Sequence, residues 1–165
     1  EEVAEAFHPR FDCVKKTYEY RFWNAPAKNP KVRLYSAYVQ KPLDVERMNE
    51  AAALLLGEHD FSCFEKTGGG NSTSICTVMS ARWTHYSPSH TSLLGFPDDG
   101  NYLVFTIEAN RFLRNMVRAI VGTLVDVGRG RRSVDSVQEL LQSGKRSDAG
   151  ESVPGTALFL CKIIY

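Results

Sequence analysis

No stretch of these 165 residues approaches the roughly 20 consecutive apolar residues of a membrane-spanning helix, and no N-terminal run reads as a signal peptide. A membrane location is therefore not expected, and a cytoplasmic one is. Cysteine is sparse and scattered. Cys13, Cys63, Cys76 and Cys161 form no Cys-x-x-Cys pair and sit in apolar or strand-like contexts, which suits reduced core thiols better than a disulfide framework. Histidine adds no metal site. His85 and His90 straddle Pro88 at a spacing with no helical logic, and His8 and His59 have no ligand neighbours. There is no Gly-x-Ser-x-Gly elbow, no His-Glu-x-x-His helix and no dinucleotide fingerprint. Lys66–Ser72 (KTGGGNS) has the glycines of a phosphate loop, but no Gly-Lys-Ser/Thr follows and no helix opens after it, so it reads as a mobile linker. Internal repeats and low-complexity tracts are also missing.

What is present is ordinary in bulk. With 43% apolar and 24% charged residues, the chain reads as one soluble globular domain over 1–165, long enough to bury a core. The acidic start, Glu1 to Ala6, reads as a linker or the tail of a helix. Lys15 to Phe22 alternates, with Tyr18, Tyr20 and Phe22 on one face, and predicts a strand with one buried side. Arg33 to Val39 predicts a second strand. Asp44 caps a helix whose core stripe is Val45, Met48, Ala51, Ala52 and Leu55, with Gly57 as its stop. Glu58 to Phe64 reads as a turn carrying two buried phenylalanines. Ser74 to Tyr86 predicts a long strand with Ile75, Met79, Ala81 and Trp83 on one face, paired antiparallel with Tyr102 to Ala109 across the long connection Ser87 to Gly100. A short helix over Val134 to Leu141 and an interior strand over Leu158 to Tyr165 close the chain. Helices on one side of a mainly antiparallel sheet make this an α+β fold.

The most informative stretch is Asn110 to Arg132. The pattern predicts a helix capped by Asn110 and ended by a left-handed Gly128, with Leu113, Met116, Val117, Ile120 and Leu124 as its apolar stripe. Arg111, Arg114 and Arg118 follow helical spacing on the other side, and that second stripe turns apolar at Val121, Gly122 and Val125. Taken alone, Arg111 and Arg114 read first as solvated charges. Arg118 sits where exposure gives way to burial, so its guanidinium needs a carboxylate, phosphate or carbonyl partner. Six arginines and one acid, Asp126, put +5 on Arg111 to Arg132, whereas the whole chain carries +1. Such a concentration suits a surface that meets polyanions. Lys15, Lys16 and Tyr18 add cations and an aromatic to the first strand, a combination suited to single-stranded or flipped bases. By its alternation alone Tyr18 is equally an ordinary core tyrosine.

Several segments together carry a resemblance. Phe7-His8-Pro9-Arg10-Phe11, Lys16-Thr17-Tyr18-Glu19-Tyr20, Leu55-Leu56-Gly57-Glu58-His59-Asp60-Phe61 and Asn115-Met116-Val117-Arg118 resemble the tRNA pseudouridine synthase A family. So do Val121-Gly122-Thr123-Leu124, Val127-Gly128-Arg129-Gly130 and Ala157-Leu158-Phe159-Leu160, in the family's order over nearly the whole chain. The resemblance implies the family's α+β domain with a ferredoxin-like sheet. It also implies a cofactor-free isomerase that converts uridines of the tRNA anticodon arm to pseudouridine, as a cytosolic homodimer with a basic cleft. By position, Tyr18 corresponds to the tyrosine that packs on the target base, Leu158 to an apolar residue lining the same pocket, and Arg118 to the arginine that pairs with the catalytic aspartate. Lys15, Lys16, Arg111, Arg114, Arg129, Arg131 and Arg132 are the candidate RNA contacts.

Two departures from the family pattern accompany these matches. The family's nucleophile lies in a Gly-Arg-Thr-Asp-x-Gly-Val-His stretch that does not occur here, and Asp12 and Asp60 stand in other motifs. The chain therefore resembles the C-terminal half of the enzyme, holding one active-site wall and expected to be inactive alone. Lys66 to Ile75 also lacks an arginine often found before that strand. A non-catalytic RNA-binding domain on a ferredoxin-like sheet is the competing reading, and a dimerisation domain, which leaves the arginine cluster idle, is a third.

Overall fold

Alternation of aromatic and polar residues sends Tyr18, Tyr20 and Phe22 to one side of strand β1 (Lys15–Asn24), where Tyr20 and Phe22 are buried and Tyr18 is half-buried. These features come from a computed structural model that describes residues 7–9, 12–66, 68, 72–86 and 101–165. Along one edge β1 pairs antiparallel with β5 (Tyr102–Ala109), from Lys16 opposite Ala109 to Trp23 opposite Tyr102. Its other edge is divided. β6 (Leu158–Ile164) runs antiparallel beside Lys15 to Tyr20, and β2 (Ala37–Val39) runs parallel beside Phe22 to Asn24. β4 (Ile75–His85) and β3 (Gly57–Asp60) extend the sheet beyond β5, giving the order β2-β1-β5-β4-β3.

Asp44 caps α1 (Val45–Ala53) by accepting a hydrogen bond from the Arg47 amide, as the sequence predicts. Met48, Ala51, Ala52 and Leu55 are completely buried. The helix packs against β4 and against α2 (Met116–Gly128), the second long helix. A third, α3 (Ser136–Ser143), starts two residues later than predicted and ends on Gly144 in the left-handed conformation. Tyr20, Phe22, Trp83 and Phe105 from the sheet and Met116, Ile120 and Leu124 from α2 belong to one continuous core.

Several local expectations are corrected. Asn110 does not cap α2. Its side-chain Oδ1 accepts from the Thr77 amide and its own amide donates to the Thr77 carbonyl, so it prolongs the β4–β5 pairing instead. The helix begins at Met116 after Asn115, whose φ of 70° is left-handed, a conformation asparagine tolerates better than most residues. Arg111 and Arg114 therefore precede the helix and share no helical stripe with Arg118. The helix does end at Gly128, but not through the left-handed conformation predicted there. That glycine is helical, and a Cβ there would lie 2.4 Å from Met48 Sδ, so glycine serves close packing of α1 on α2. The left-handed residue is Gly130, at φ 69°.

In β4 a register shift between Val78 and Ser80 reverses the alternation. Cys76 and Val78 are buried while Ile75 and Met79 are exposed, against the predicted face, whereas beyond the shift Trp83 is buried and Ala81 packs on the core as predicted. Only the last three residues of the strand predicted over Arg33 to Val39 pair, and 30–35 form turns. Glu58 to Phe64 holds the short strand β3 and a 3₁₀ turn, although Phe61 and Phe64 are buried as predicted. β6 is an edge strand, not an interior one, and Leu160, Ile163 and Tyr165 are exposed. The readings of Ser87 to Gly100, of Glu1 to Ala6 and of most of Lys66 to Ser72 fall outside the described residues.

Candidate active-site wall

Periodicity in α2 explains why an arginine reaches the interior at all. The helix is apolar on every side, and from Met116 to Val127 only Arg118 and Asp126 are not buried. Arg118 is thus half-buried, and its Nε donates to the Val153 carbonyl at 2.6 Å. The Val153 amide donates back to the Arg118 carbonyl at 3.3 Å. Among the described residues the two terminal guanidinium nitrogens make no hydrogen bond, so the fork is available to an anion.

The segment Gly150–Pro154 lies flat across α2 because two glycines let backbone meet backbone. A Cβ on Gly122 would sit 1.8 Å from the Glu151 carbonyl oxygen, and one on Gly150 would sit 2.7 Å from the Thr123 amide nitrogen. Gly150 also donates to Thr123 Oγ1 at 2.9 Å. Beyond the strap, the Tyr20 hydroxyl donates to the Pro154 carbonyl at 2.7 Å. Burial holds that phenol far above its ordinary range, and the charge of Arg118 works in the opposite direction.

Tyr18 lies two residues before Tyr20 on the same face of β1. Its ring meets Phe112 edge-on, with centroids 5.0 Å apart, and burial raises its phenol pKa so that it stays neutral. Leu158, at the start of β6, stands opposite Tyr20 and packs on the core. Directly opposed residues share a face, so Tyr18, Tyr20 and Leu158 line one side of the sheet. Gly155 lies under the Arg118 guanidinium, whose Cζ would be 4.0 Å from a Cβ placed there. Tyr18, Arg118 and Leu158, widely separated in the chain, thus border one region. Phe112, Tyr20 and the Val153–Pro154 carbonyls complete it; of these only Tyr20, on the Tyr18 face of the alternating strand, was signalled by the sequence.

The basic residues divide. Lys15 lies on the opposite sheet face from Tyr18, where its Nζ is 2.9 Å from Glu108 and Thr17 Oγ1 donates to the same carboxylate. Lys16 shares the parity of Tyr18. Arg114 is exposed before α2, and Arg111 is half-buried near Cys76. Arg129, Arg131 and Arg132 lie at the far end of α2, about 16 Å from Arg118 at the helical rise per residue. Arg131 and Arg132 are held near Asp126, at 3.6 and 4.0 Å. Between the two groups a trough of about 580 Å³ runs beside Gly122, Val125 and Arg129, with Lys28 and Arg33 on its far bank and Asp126 and Glu151 as its acids.

Residues 51–165 match the model of a family described as tRNA pseudouridine synthase. The chain belongs to the tRNA pseudouridine synthase family. It is 44% identical over 158 residues to tRNA pseudouridine synthase A of Bacteroides fragilis, covering 96% of this chain and 57% of that protein. The namesake from Bacteroides thetaiotaomicron is also 44% identical, over 99% of this chain and 56% of its own length. tRNA pseudouridine synthase A 2 of Clostridium perfringens is 40% identical over all of this chain and 62% of its own length. The chain therefore spans about three-fifths of the length of these pseudouridine synthases.

Proposed function

We propose that this chain forms the RNA-binding wall of an isomerase that converts uridine to pseudouridine in the anticodon arm of tRNA. The observation that carries the reading is Arg118, half-buried with Nε donating to Val153 and its two terminal nitrogens without a hydrogen bond among the described residues. In this reading the fork pairs with a nucleophilic aspartate supplied from outside these 165 residues, and holds it ionised and oriented. Tyr18 and Leu158 border the target uracil, and Phe112 steadies the Tyr18 ring. The isomerisation breaks the bond between C1′ and N1, joins C1′ to C5, and releases the C5 proton while N1 gains one. Nothing is oxidised or reduced. Lys16, Arg111, Arg114, Arg129, Arg131 and Arg132 are assigned to RNA phosphates. Lys15 is left out of this set because Glu108 engages it on the other face. Assembly as a cytoplasmic homodimer is part of the same proposal, and sedimentation tests it.

The decisive assay is tritium release from tRNA labelled at uridine C5. This chain alone gives none, whereas it binds tRNA with affinity that falls steeply as salt rises. In the full-length protein, Arg118→Lys keeps the charge but loses the fork, and turnover collapses while folding is retained. Turnover by the purified 165-residue chain, or normal turnover by the lysine variant, overturns the assignment.

A further inference from the structure

The strap Gly150–Pro154 is anchored by more bonds than a surface connection needs, and they converge on the residues beside Arg118. At its start, Arg146 Nη1 donates to the Gly150 carbonyl at 3.1 Å and Arg146 Nη2 to Ser152 Oγ at 3.0 Å. Asn115 Nδ2 donates to the same hydroxyl at 2.5 Å. Asn115 is also the one non-glycine residue with positive φ among the described residues, at the point where the chain turns into α2. Ser152 Oγ is thus a node joining three segments: the 3₁₀ turn Arg146–Asp148, the strap, and the start of α2. One residue further along, Val153 makes its reciprocal pair with Arg118.

We infer that Ser152 and Asn115 are positioning residues for Arg118. A guanidinium on a long side chain has several rotamers, and its plane is set only when one edge is fixed. The Val153 carbonyl fixes the Nε edge. That carbonyl is in turn fixed because the Ser152 node holds the strap before it and Tyr20 holds Pro154 after it. The fork then presents both terminal nitrogens in one plane, the geometry that a carboxylate accepts through two bonds. Without the node the strap still rests on Gly122, but the carbonyl that orients Arg118 moves. Neither Ser152 nor Asn115 touches a reacting atom in this arrangement; they act through Arg118. The inference rests on the role proposed for Arg118 above.

The test uses the full-length protein with C5-tritiated tRNA. A misplacement of about 1 Å in a catalytic constellation costs up to about 100-fold in rate, so Ser152→Ala and Asn115→Gly should lower kcat by about 10- to 100-fold. Their KM for tRNA stays within about twofold, because no RNA contact is removed. Asn115→Gly keeps the left-handed backbone, so its loss reports the amide and not the turn. Ser152→Thr keeps the hydroxyl and should retain most of the rate. A second readout is independent of turnover: the Arg118 Nε–H resonance, protected from exchange in the parent, loses protection in Ser152→Ala and Asn115→Gly and keeps it in Ser152→Thr. The inference is overturned if both loss variants keep full kcat, if threonine fails as badly as alanine, or if Nε–H protection survives in the loss variants. A lysine variant at 118 with normal turnover sinks the assignment above as well. Collapse of that variant with silent Ser152 and Asn115 variants sinks only this one.

Discussion

Gly122→Ala separates two forces of opposite sign. Alanine in a helix interior is favoured over glycine by about 1 kcal/mol, so helix propensity alone makes this variant more stable. The strap argues the reverse. The new Cβ would stand 1.8 Å from the Glu151 carbonyl oxygen, and 3.0 Å from the carbonyl carbon behind it. Carbon and oxygen settle near about 3.3 Å at closest, so the strap must retreat by about 1.5 Å. That movement breaks the bond from Gly150 to Thr123 Oγ1 and the bond from Val153 to the Arg118 carbonyl, now 2.9 and 3.3 Å. Overpacking costs ~1–3 kcal/mol, and each bond contributes ~0.5–1.5 kcal/mol, with some overlap between the two. After the gain in helix propensity the net loss is about 2 kcal/mol, or a fall in Tm of about 4–8 °C. Thermal and urea unfolding followed by far-UV circular dichroism measure it. An unchanged or raised Tm would refute the reasoning, because it would mean that the strap does not rest on the helix backbone.

Glu108 titrates below the usual glutamate range because Lys15 and Thr17 hydrogen-bond its carboxylate. A depressed folded pKa contributes stability above the unfolded value that disappears as pH falls through the folded one. Acid unfolding should therefore lose a small component in Glu108→Gln, and the pair's partial exposure keeps that component modest. Among the thiols, burial pushes Cys63 up to about 12 and Cys76 up to about 11, and both are buried. Alkylation at mildly alkaline pH, mapped by mass spectrometry, should therefore label the exposed Cys161 and the half-exposed Cys13 first. Labelling of Cys63 or Cys76 before unfolding would contradict the described core.

What the sequence made legible was whatever depends on local period and local capping. The alternation of Tyr18, Tyr20 and Phe22, the Asp44 cap and the β4–β5 pair are of this kind. The half-burial of Arg118 was legible too, because from Met116 onward the helical period is real. What failed needed knowledge of a distant partner. Asn110 looks like a cap until Thr77 claims its side chain. Gly128 looks like a left-handed stop, whereas it is the last helical residue and is glycine because Met48 fills the space beside it. A single inserted residue near Met79 reverses half a strand without altering composition. The apolar run in β6 suggested an interior strand, whereas the sheet ends there. For the site, family-like segments pointed to Tyr18, Arg118 and Leu158 and included Asn115, whereas the side-chain bonds of Asn115 and Ser152 and the strap carbonyls join distant segments and have no spacing signature.

The divided edge of β1 has a consequence for how the molecule is made. Among the described residues, its one pairing to a near neighbour is the three-residue contact with β2. Its antiparallel partners are β5 and β6, and the Tyr20 hydroxyl closes onto a carbonyl 134 residues later. During synthesis β1 therefore leaves the ribosome long before either ladder exists, with Tyr18, Tyr20 and Phe22 uncovered. Contacts this distant in sequence slow folding, and unpaired aromatic strands associate with one another in the interval. Pairing of β6 then covers the second edge of β1 and sets Leu158 opposite Tyr20, so this side of the sheet cannot close until that strand has been made.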